Sequence, residues 1–309
     1  MATPMITDQW DDFVLPIIRK EWSQRFNSVA SPLSSFFGIE SSQHAAEYSQ
    51  GIGSLDLVPE YNSSSAEGAP GAIEYDSFNP LYETTFTHKE YAKGIAIERK
   101  LWDDNRSGEI RRKAQNLGYS FGLTIAYHMS SVLNNAFSAS YVGGDAVALC
   151  SASHPVNSVE TSTTFSNAGS TAFSYAAIKS TIQAGLDMND DNGNPFPIVY
   201  DTIYVPTALG DQAYEYVDAS GKPGSADNDA NALNRHGLQV VVDPYLTDSD
   251  NWFMLDSRLA PMHLLWYWRI GPEIAKDPSS DYNLVAKFRG YMRYSYGWDD
   301  ARWIYGHEV

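Results

Sequence analysis

One long amphipathic helix, predicted over residues 106–138, constrains this chain more than any other feature. Apolar residues recur along it every three or four positions, so that one stripe faces a partner surface: Ile110, Ala114, Leu117, Phe121, Ile125, Met129, Leu133 and Phe137. At about 1.5 Å per residue the helix would run roughly 50 Å, well beyond the usual three turns. Gly118 and Gly122 lie inside it and each costs up to about 1 kcal/mol relative to alanine, so packing must stabilise the helix. Such a strut favours a structural role.

The composition describes a folded, acidic protein. With 309 residues, 43% of them hydrophobic, the chain is long enough for one large domain or two small ones. Its net charge is −17. A nucleic-acid-binding surface needs clustered Lys and Arg to neutralise phosphates, so we expect any DNA nearby to be enclosed rather than tightly bound.

Cysteine usage and apolar runs predict the compartment. The lone Cys150 cannot form an internal disulfide, so the fold depends on packing and suits a reducing compartment. Residues 1–4 carry neither the basic nor the apolar region of a secretion signal. The longest apolar run, residues 264–268, is far short of the roughly 20 residues that a membrane span requires. We therefore expect a soluble chain made and kept in the cytosol, with no membrane partner.

Residues 1–45 begin with an amphipathic pattern whose apolar face needs a partner. Pro16 is predicted to interrupt it, and its apolar residues are Trp10, Phe13, Val14, Ile17, Ile18, Trp22 and Phe26. Two interpretations stay open. The segment packs on its own domain, or it is an arm that lies across a neighbouring subunit.

An acidic excursion follows between about Tyr48 and Ala92. Its centre, residues 62–71, is rich in Gly, Ser, Pro and Asn, and its flanks alternate in strand fashion, which predicts a long hairpin with an irregular tip. No Lys or Arg occurs between Arg25 and Lys89, whereas the segment holds these acids: Glu40, Glu47, Asp56, Glu60, Glu67, Glu74, Asp76 and Glu83. Cations then gather at the start of the long helix: Arg99, Lys100, Arg106, Arg111, Arg112 and Lys113. An acidic flap thus precedes a basic helix end.

Beyond the long helix the patterns mix helices and strands. Residues 141–170 predict a loop with short strands. Helices are predicted over 171–187 and 208–217, and strands over 201–205, 237–242 and 252–255. The C-terminal part from Asn283 alternates in strand fashion, with Gly290 and Gly297 as candidate bulges, through Val285, Lys287, Arg289, Tyr291, Arg293 and Ser295. The sum is an α+β protein with appendages.

Motifs for catalysis, cofactors or metals are absent from the sequence. The histidines are scattered, no His-Glu-x-x-His or Gly-x-Ser-x-Gly occurs, and Gly51-Ile52-Gly53 lacks the third glycine of a dinucleotide loop. From Asp187, a calcium loop would need glycine at Asn192 and an acid at Ile198. We predict no catalytic, cofactor-binding or metal-binding residue, while carboxylates that converge only in space stay open.

Several segments carry a resemblance to a known family: Phe86–Asp104 leading into the long helix, Ser153-His154-Pro155, Tyr204-Val205-Pro206, Val241–Leu246, Trp252–Asp256 and Arg293–Trp298. With the order of the parts, they resemble the major capsid proteins of tailed bacteriophages, which have the Hong Kong 97-type fold. The resemblance covers nearly the whole chain. It implies an N-terminal arm at 1–45, an extended β-hairpin loop at 46–94, a peripheral domain with the spine helix at 95–170 and 284–309, and an axial domain at 171–283.

The resemblance also implies a function. The subunit would assemble with itself into pentamers and hexamers of an icosahedral shell that encloses double-stranded DNA without sequence-specific binding, and it would not be an enzyme. A separate scaffolding protein is expected, because no long scaffold-like segment precedes the arm, together with a portal; a decoration protein stays open. Assembly is expected in the bacterial host cytoplasm and residence in the virion.

In such shells the extended loop is expected to lie over the peripheral domain of the neighbouring subunit. This would bring the acidic flap toward the next basic helix end, and we hypothesise that the polarity sets the direction of docking. The alternative is that residues 106–113 are only a solvated helix face. The candidate interface residues are therefore Trp10, Trp22, Phe26, Glu60, Glu67, Glu74, Asp76, Arg99, Lys100, Arg106, Arg111, Arg112 and Lys113.

Two further functions stay open. A bacterial nanocompartment shell protein would have the same fold but enclose enzyme cargo instead of a genome. An acidic soluble hydrolase, less favoured, would need a water-accessible cleft with converging carboxylates. A phage tail-tube protein fits the long strut and the two-part layout poorly.

Overall fold

A computed structural model of the chain describes residues 10–58, 75, 80–104, 106–159, 161–223, 229–277 and 284–309. The helices of this part are α1 (Trp10–Phe26), α2 (Arg99–Asp103), α3 (Ser107–Asn134), α4 (Tyr175–Leu186), α5 (Gly210–Asp218) and α6 (Ala260–His263). The strands are β1 (Gly38–Ser41), β2 (Ala46–Ile52), β3 (Pro80–Thr87), β4 (Lys89–Glu98), β5 (His154–Pro155), β6 (Thr164–Phe165), β7 (Ala168–Gly169), β8 (Thr202–Pro206), β9 (Gln239–Asp243), β10 (Trp252–Leu255), β11 (Leu264–Lys276), β12 (Val285–Trp298) and β13 (Ile304–His307). Helices and strands are mixed, and the predicted α+β class is confirmed.

The long helix predicted from periodicity is α3, and its apolar stripe is buried as expected except at Ile125, which is half-buried. It ends at Asn134 rather than Ser138. The side chain of Asn135 donates to the carbonyl oxygen of Ser131 at 2.7 Å, and such a local bond competes with continuation of the helix. Phe137 continues the apolar period beyond the helix end and stacks on Phe253 with ring centroids 5.8 Å apart.

The predicted interruption at Pro16 is wrong, because α1 runs through it. Pro16 lies on the exposed face of the helix, where its ring does not disturb the packing of α1 on the core. Val14 and Ile18, on the opposite face, are fully buried.

The first sheet has the strand order β1-β11-β12-β4. Its centre is the long antiparallel pair of β11 and β12, and α3 covers one face. The predicted bulge at Gly290 is wrong, because the register is regular there. A Cβ at Gly290 would lie 2.5 Å from the ring of Phe121 in α3, so the glycine lets the helix approach the sheet. Gly297 likewise pairs in register, and Phe86 fills the space beside it. The irregular pairing lies in β11, between Trp268 and Glu273.

The second sheet has the order β7-β13-β10-β8-β9. Every residue of β8 and β10 is buried, so these central strands read as apolar runs rather than as alternating patterns. Helices α4 and α5 contribute to its separate core cluster. Residues 252–255 pair with β8 and β13, while β9 pairs in parallel with β8.

A buried carboxylate connects α3 with the second sheet. Asp243, at the end of β9, is fully buried and accepts hydrogen bonds from Ser130 of α3 and, at 2.6 Å, from the Tyr204 hydroxyl. Its other oxygen accepts from the backbone N–H of Tyr245 at 2.8 Å. These hydrogen bonds to Asp243 hold the spine helix α3 on the second sheet.

The two sheets cross the predicted domain boundaries. Strand β11, inside the predicted axial range 171–283, pairs with β12 in the range 284–309. Strand β13, also in that last range, belongs to the sheet of β8 and β10. The division into arm, loop, peripheral and axial parts stays a prediction.

Candidate subunit-contact surfaces

The arm helix α1 packs on α3 of its own chain. Trp22 is 6% exposed, stacks on Phe26 at 5.3 Å and meets the edge of Phe121 at 6.0 Å between ring centroids. A Cβ at Gly118 would lie 2.3 Å from the carbonyl oxygen of Trp22, so only glycine permits this approach. The structure therefore favours the interpretation in which the segment packs on its own domain, and it leaves little of Trp22 for a neighbour.

The other two apolar candidates of the arm differ from Trp22. Phe26, at the end of α1, is half-buried, and Trp10 is the first residue of that helix. Their interface roles stay predictions.

At the base of the spine, two predicted cations form local ion pairs. In α2, Arg99 lies 3.5 Å from Asp103, and just before α3, Arg106 lies 3.0 Å from Glu109, both measured between nitrogen and oxygen. These pairs are partly exposed, so each contributes only a few tenths of a kcal/mol. They add little to the fold.

Two further cations reach from α3 to other elements. Arg111 lies 3.9 Å from Glu21 of α1, and Lys113 donates to the carbonyl oxygen of Ala96 in β4 at 3.3 Å. Both cations are exposed. The basic helix end therefore borders the arm on one side and the edge strand β4 on the other.

Lys100 and Arg112 are exposed, and neither forms an ion pair within the part of the chain that the structure describes. Because the N-terminus of a helix carries partial positive charge, cations in its first turns are destabilising by a few tenths of a kcal/mol. These cations therefore do not stabilise α3. Its charge is available for an anionic partner.

The hairpin stem extends from the first sheet as an antiparallel pair of β2 and β3, as the alternating pattern predicted. Beyond its strands, the backbone of Ser54 is held by the turn after α4, through Asp191 at 2.8 Å and Asn192 at 2.9 Å. At its base Ser49 donates to Asp299 at 2.7 Å. The candidates Glu60, Glu67, Glu74 and Asp76 lie outside the described residues. Their interface roles stay predictions.

A cavity of about 260 Å³ beside the stem contains the carboxylates that a hydrolase would require. Its charged lining is Asp190, Asp191, His263, Asp299, Asp300 and Arg302. His263 bonds to Asp299 at 2.9 Å, and Arg302 bonds to Asp300 at 2.6 Å. Burial raises the pKa of Asp300, but Arg302 and His263 outweigh it, so this pKa lies below the usual range. A general acid needs the opposite shift, so Asp300 does not suit that role.

The described residues offer neither a metal-binding cluster nor a membrane-spanning helix. No three His, Cys, Asp or Glu side chains are grouped in a way that could hold a metal ion. No helix in this part is both long and apolar enough to cross a membrane.

A comparison with protein families matches residues 82–306, most of the chain, to the family described as phage capsid protein. The chain belongs to this family. It is a structural protein of bacteriophage capsids. A search of curated proteins found no match.

Solved capsid structures share the architecture of this capsid protein. The capsid of cyanophage P-SCSP1u aligns over 90% of this chain and 88% of its own, with 11% identity and a TM-score of 0.55. A chain of Microbacterium phage Oxtober96 aligns over 90% of each chain, with 11% identity and a TM-score of 0.53. The bacteriophage JBD30 capsid aligns over 68% of this chain and 89% of its own, with 13% identity and a TM-score of 0.54. The fold is therefore of the Hong Kong 97 type, as the resemblance implied.

One surface is not evident from the sequence of this capsid protein. Lys287, Arg289 and Arg293 share the outer face of β12, opposite the face that α3 covers. Their period-2 spacing is visible, but a strand pattern does not say which face stays uncovered. Only the packing of α3 on Gly290 and its neighbours identifies the exposed side.

Proposed function

We propose that this chain is the major capsid protein of a tailed bacteriophage, assembling into pentamers and hexamers of an icosahedral shell around double-stranded DNA. The observation that supports it most is the family match over residues 82–306 together with the α3, two-sheet and hairpin architecture. The subunit acts by packing, without catalysis, and it binds DNA without sequence specificity. Residues 1–45, 46–94, 95–170 with 284–309, and 171–283 serve as arm, extended loop, peripheral domain and axial domain.

The partners follow from this role. Head-to-tail contacts between identical subunits close into rings, and curvature between rings closes a shell. A separate scaffolding protein and a portal complete assembly in the host cytoplasm, and a decoration protein is compatible with it. One of the similar structures is described as a JBD30 capsid decorated with minor capsid protein trimers. Membership of a phage capsid family favours a genome over the enzyme cargo of a nanocompartment.

The contacts between subunits are electrostatically directed. The hairpin segment of residues 40–83 carries acids and no Lys or Arg, and the base of the spine carries exposed cations. Complementary potentials govern the register and rate of association more than its final affinity. The arm residues Trp10 and Phe26 and the charged candidates of the hairpin and spine base form the contact between neighbours.

The experiment that tests assembly is expression of the chain with and without its neighbouring open reading frames, followed by electron microscopy. We expect five- and six-membered rings or closed shells. Uniform monomers in the presence of the scaffolding candidate would count against a shell role. Shells packed with enzyme instead of DNA, in the native context, would favour the nanocompartment.

The directed contact is tested by reversing Arg111 and Arg112 to Glu. We expect slower or misdirected assembly at low salt, because the reversed charges repel the acidic hairpin. Reversal of Lys222 and Arg235, which are exposed and lie outside both the hairpin and the long helix, is the charge-matched control. Assembly of the first variant at the rate of the control would disprove a role for this helix face.

A further inference from the structure

A row of lysines follows the line where the spine helix α3 meets the edge strand β4. Lys113 of α3 donates to the carbonyl oxygen of Ala96 at 3.3 Å, and Lys93 of β4 donates to the hydroxyl of Ser120 at 3.0 Å. An ammonium group has three N–H donors, so both lysines keep donors for a further partner. The lysine row consists of three exposed residues that form no ion pair with any described residue: Lys89, Lys93 and Lys113.

The row extends along much of α3. Burial and, after it, the charge of Lys89 lower the pKa of His128, which places Lys89 beside that part of the helix. Lys113 and His128 are 15 residues apart in the helix, roughly 22 Å at 1.5 Å per residue. Lys89 and Ala96 are 7 residues apart in the strand, roughly 23 Å at about 3.3 Å per residue. The two elements therefore run side by side, with a lysine about every 10–13 Å.

A further cation lies at the exposed face of α3, on the side of α1. The guanidinium of Arg25, at the end of α1, lies 5.1 Å from the ring centroid of Tyr119. Tyr119 is 41% exposed and Tyr127, about two turns further along α3, is 53% exposed. Tyrosine hydroxyls, like Lys and Arg, are common donors to phosphate oxygens. Cations and hydroxyls therefore border this helix face.

The acids of this helix face are few and paired. Glu109 is the only acid of α3, and it lies 3.0 Å from Arg106. Glu21 of α1 lies 3.9 Å from Arg111 and accepts a hydrogen bond from Gln115 at 2.7 Å. The positions of β4 that face α3 include no acid: 89, 91, 93, 95 and 97.

Charge is distributed unevenly over the subunit. Residues 89–128 contain eight Lys and Arg against five Asp and Glu, whereas the rest of the chain contains 13 against 33. Of those five acids, Glu90 and Glu98 alternate to the opposite face of β4, and Asp103 and Asp104 precede α3. On that opposite face of the sheet, Glu90 and Glu273 lie beside the cations of β12. The helix side is therefore the more basic of the two.

The position of β4 at the edge of its sheet does not explain the whole group. Lysines on an edge strand discourage pairing with strands of other molecules. That reason applies to Lys89 and Lys93. It does not apply to Lys113 and Arg25, which lie on helices. An anionic partner accounts for all four.

We propose that the lysine row and Arg25 bind the phosphate backbone of the enclosed double-stranded DNA, which makes the α3 side of the first sheet the inner face of the shell. The inference rests on the proposed function, which encloses DNA but assigns it no surface. The row of roughly 22 Å spans about six or seven base pairs at 3.4 Å each. Because contacts to phosphates carry no sequence information, the face binds DNA of any sequence.

The binding is weak for one subunit and sensitive to salt. The net charge of −17 repels DNA at long range, whereas the potential within a Debye length, about 10 Å at 0.1 M salt, depends on the local cations. A duplex carries one charge per about 1.7 Å of its axis, so it meets cations about 10–13 Å apart in any register. The acids of the hairpin have fixed spacings and lack this freedom. DNA is therefore the better fit to an extended row.

The first test is the binding of a short fluorescent DNA duplex to the full-length, unassembled chain between about 20 and 200 mM salt, measured by anisotropy. Lys89→Gln with Lys93→Gln should lower the slope of log affinity against log salt by about 2, or about 1 for each lost phosphate contact. Lys287→Gln with Arg289→Gln, on the opposite face, is the charge-matched control and should keep the wild-type slope. Circular dichroism establishes that each variant is folded. An unchanged slope in the first variant, or a wild type that does not bind at the lowest salt, would overturn the inference.

Cross-linking in DNA-filled particles tests which face is the inner one. Formaldehyde joins lysine amines to DNA bases, and mass spectrometry of the peptides locates the adducts. We expect nucleotide adducts on Lys89 and Lys93 and none on Lys287. Adducts on Lys287 alone would place the opposite face inward and overturn the inference. A carbodiimide joins amines to carboxylates, and links from the row to residues 59–79 in place of DNA adducts would assign the row to the hairpin instead.

The outcomes separate the inference from the proposed function. DNA-filled shells without nucleotide adducts on the lysine row would overturn the inference alone. Absence of shells from the wild type under all conditions would overturn the proposed function, and the inference with it.

Discussion

The two sheets of this capsid protein differ in how much of their surface is buried. Strands β8 and β10 of the second sheet are buried along their whole length, and buried polar groups such as Asp243 and His307 have internal partners. The first sheet buries one face of β12 under α3 and exposes the other, with Lys287 and Arg289 on it. The central strands of the second sheet are thus covered within the described chain. On the first sheet, the described residues leave the outer face of β12 exposed at Lys287 and Arg289.

This difference predicts where substitutions act. Changes in the second sheet should lower the stability of the isolated subunit, because the interactions of this sheet are formed within a single chain. Changes on the outer face of the first sheet should leave stability almost unchanged. Four variants, ordered from the largest expected loss of stability to the smallest, test the contrast.

Asp243→Ala should have the largest effect, about 3–5 kcal/mol off the free energy of unfolding. It leaves the hydroxyls of Ser130 and Tyr204 and the N–H of Tyr245 buried without their acceptor, at about 1–3 kcal/mol for each group. Urea unfolding of the unassembled chain, followed by circular dichroism, measures it. Asp248→Ala, in an exposed turn, is the control. Equal midpoints for the two variants would show that the buried carboxylate does not join the spine to the sheet.

His307 should make the second sheet sensitive to acid. It is 4% exposed, stacks on Trp252 at 4.0 Å between ring centroids and bonds to Thr181, and burial lowers its pKa from 6.5 to about 4. The unfolded chain therefore binds the proton more readily than the folded one. The stabilisation is complete above pH 6.5 and is lost as the pH falls toward 4, by roughly 3 kcal/mol.

Unfolding measured between pH 7 and 4 tests this dependence. His307→Gln should flatten the curve in that window, whereas the exposed His44→Gln should leave it unchanged. An unaltered slope in His307→Gln would assign the acid sensitivity to other groups.

Gly118→Ala should cost about 1–2 kcal/mol net. The new Cβ meets the rigid backbone of Trp22 at 2.3 Å, and overpacking typically costs 1–3 kcal/mol, offset by about 1 kcal/mol of helix propensity. Gly108→Ala, in the first turn of the same helix, is the matched control, because nothing lies within 4 Å of its Cβ. It should stabilise by up to about 1 kcal/mol. Thermal or urea unfolding measures both effects. Equal stabilisation of the two variants would contradict the close approach of α1 and α3.

Lys287→Glu with Arg289→Glu should change the stability of the subunit least, by less than about 0.5 kcal/mol, because both side chains are exposed and form no internal pair with a described residue. Urea unfolding of the unassembled chain measures the change. A large loss of stability would remove the contrast between the two sheets.

Much of the local structure follows from the sequence. The stripe of α3 is predictable because a 3.6-residue apolar period sustained over so long a segment is typical of an amphipathic helix alone, and the hairpin is predictable from its alternating flanks. The helix end at Asn134 is not, because Phe137 continues the apolar period after the backbone has turned. Continuation of α1 through Pro16 depends on which side of the helix faces water. Composition identifies the charged candidates of the hairpin and spine base, whereas the strand of Lys287 and Arg289 has an ordinary alternating pattern that does not set these cations apart.

By itself, the sequence determined the α+β class, the long spine helix, the acidic hairpin and the basic spine base, because periodicity and local charge are properties of neighbours along the chain. Only the tertiary structure decided that α1 packs on its own spine at Gly118, that β13 joins the second sheet, and that one face of β12 stays uncovered. Those features depend on residues far apart in the chain, such as Trp22 with Gly118 and Phe121 with Gly290. Their pairing is set by packing in three dimensions, which a one-dimensional pattern does not record.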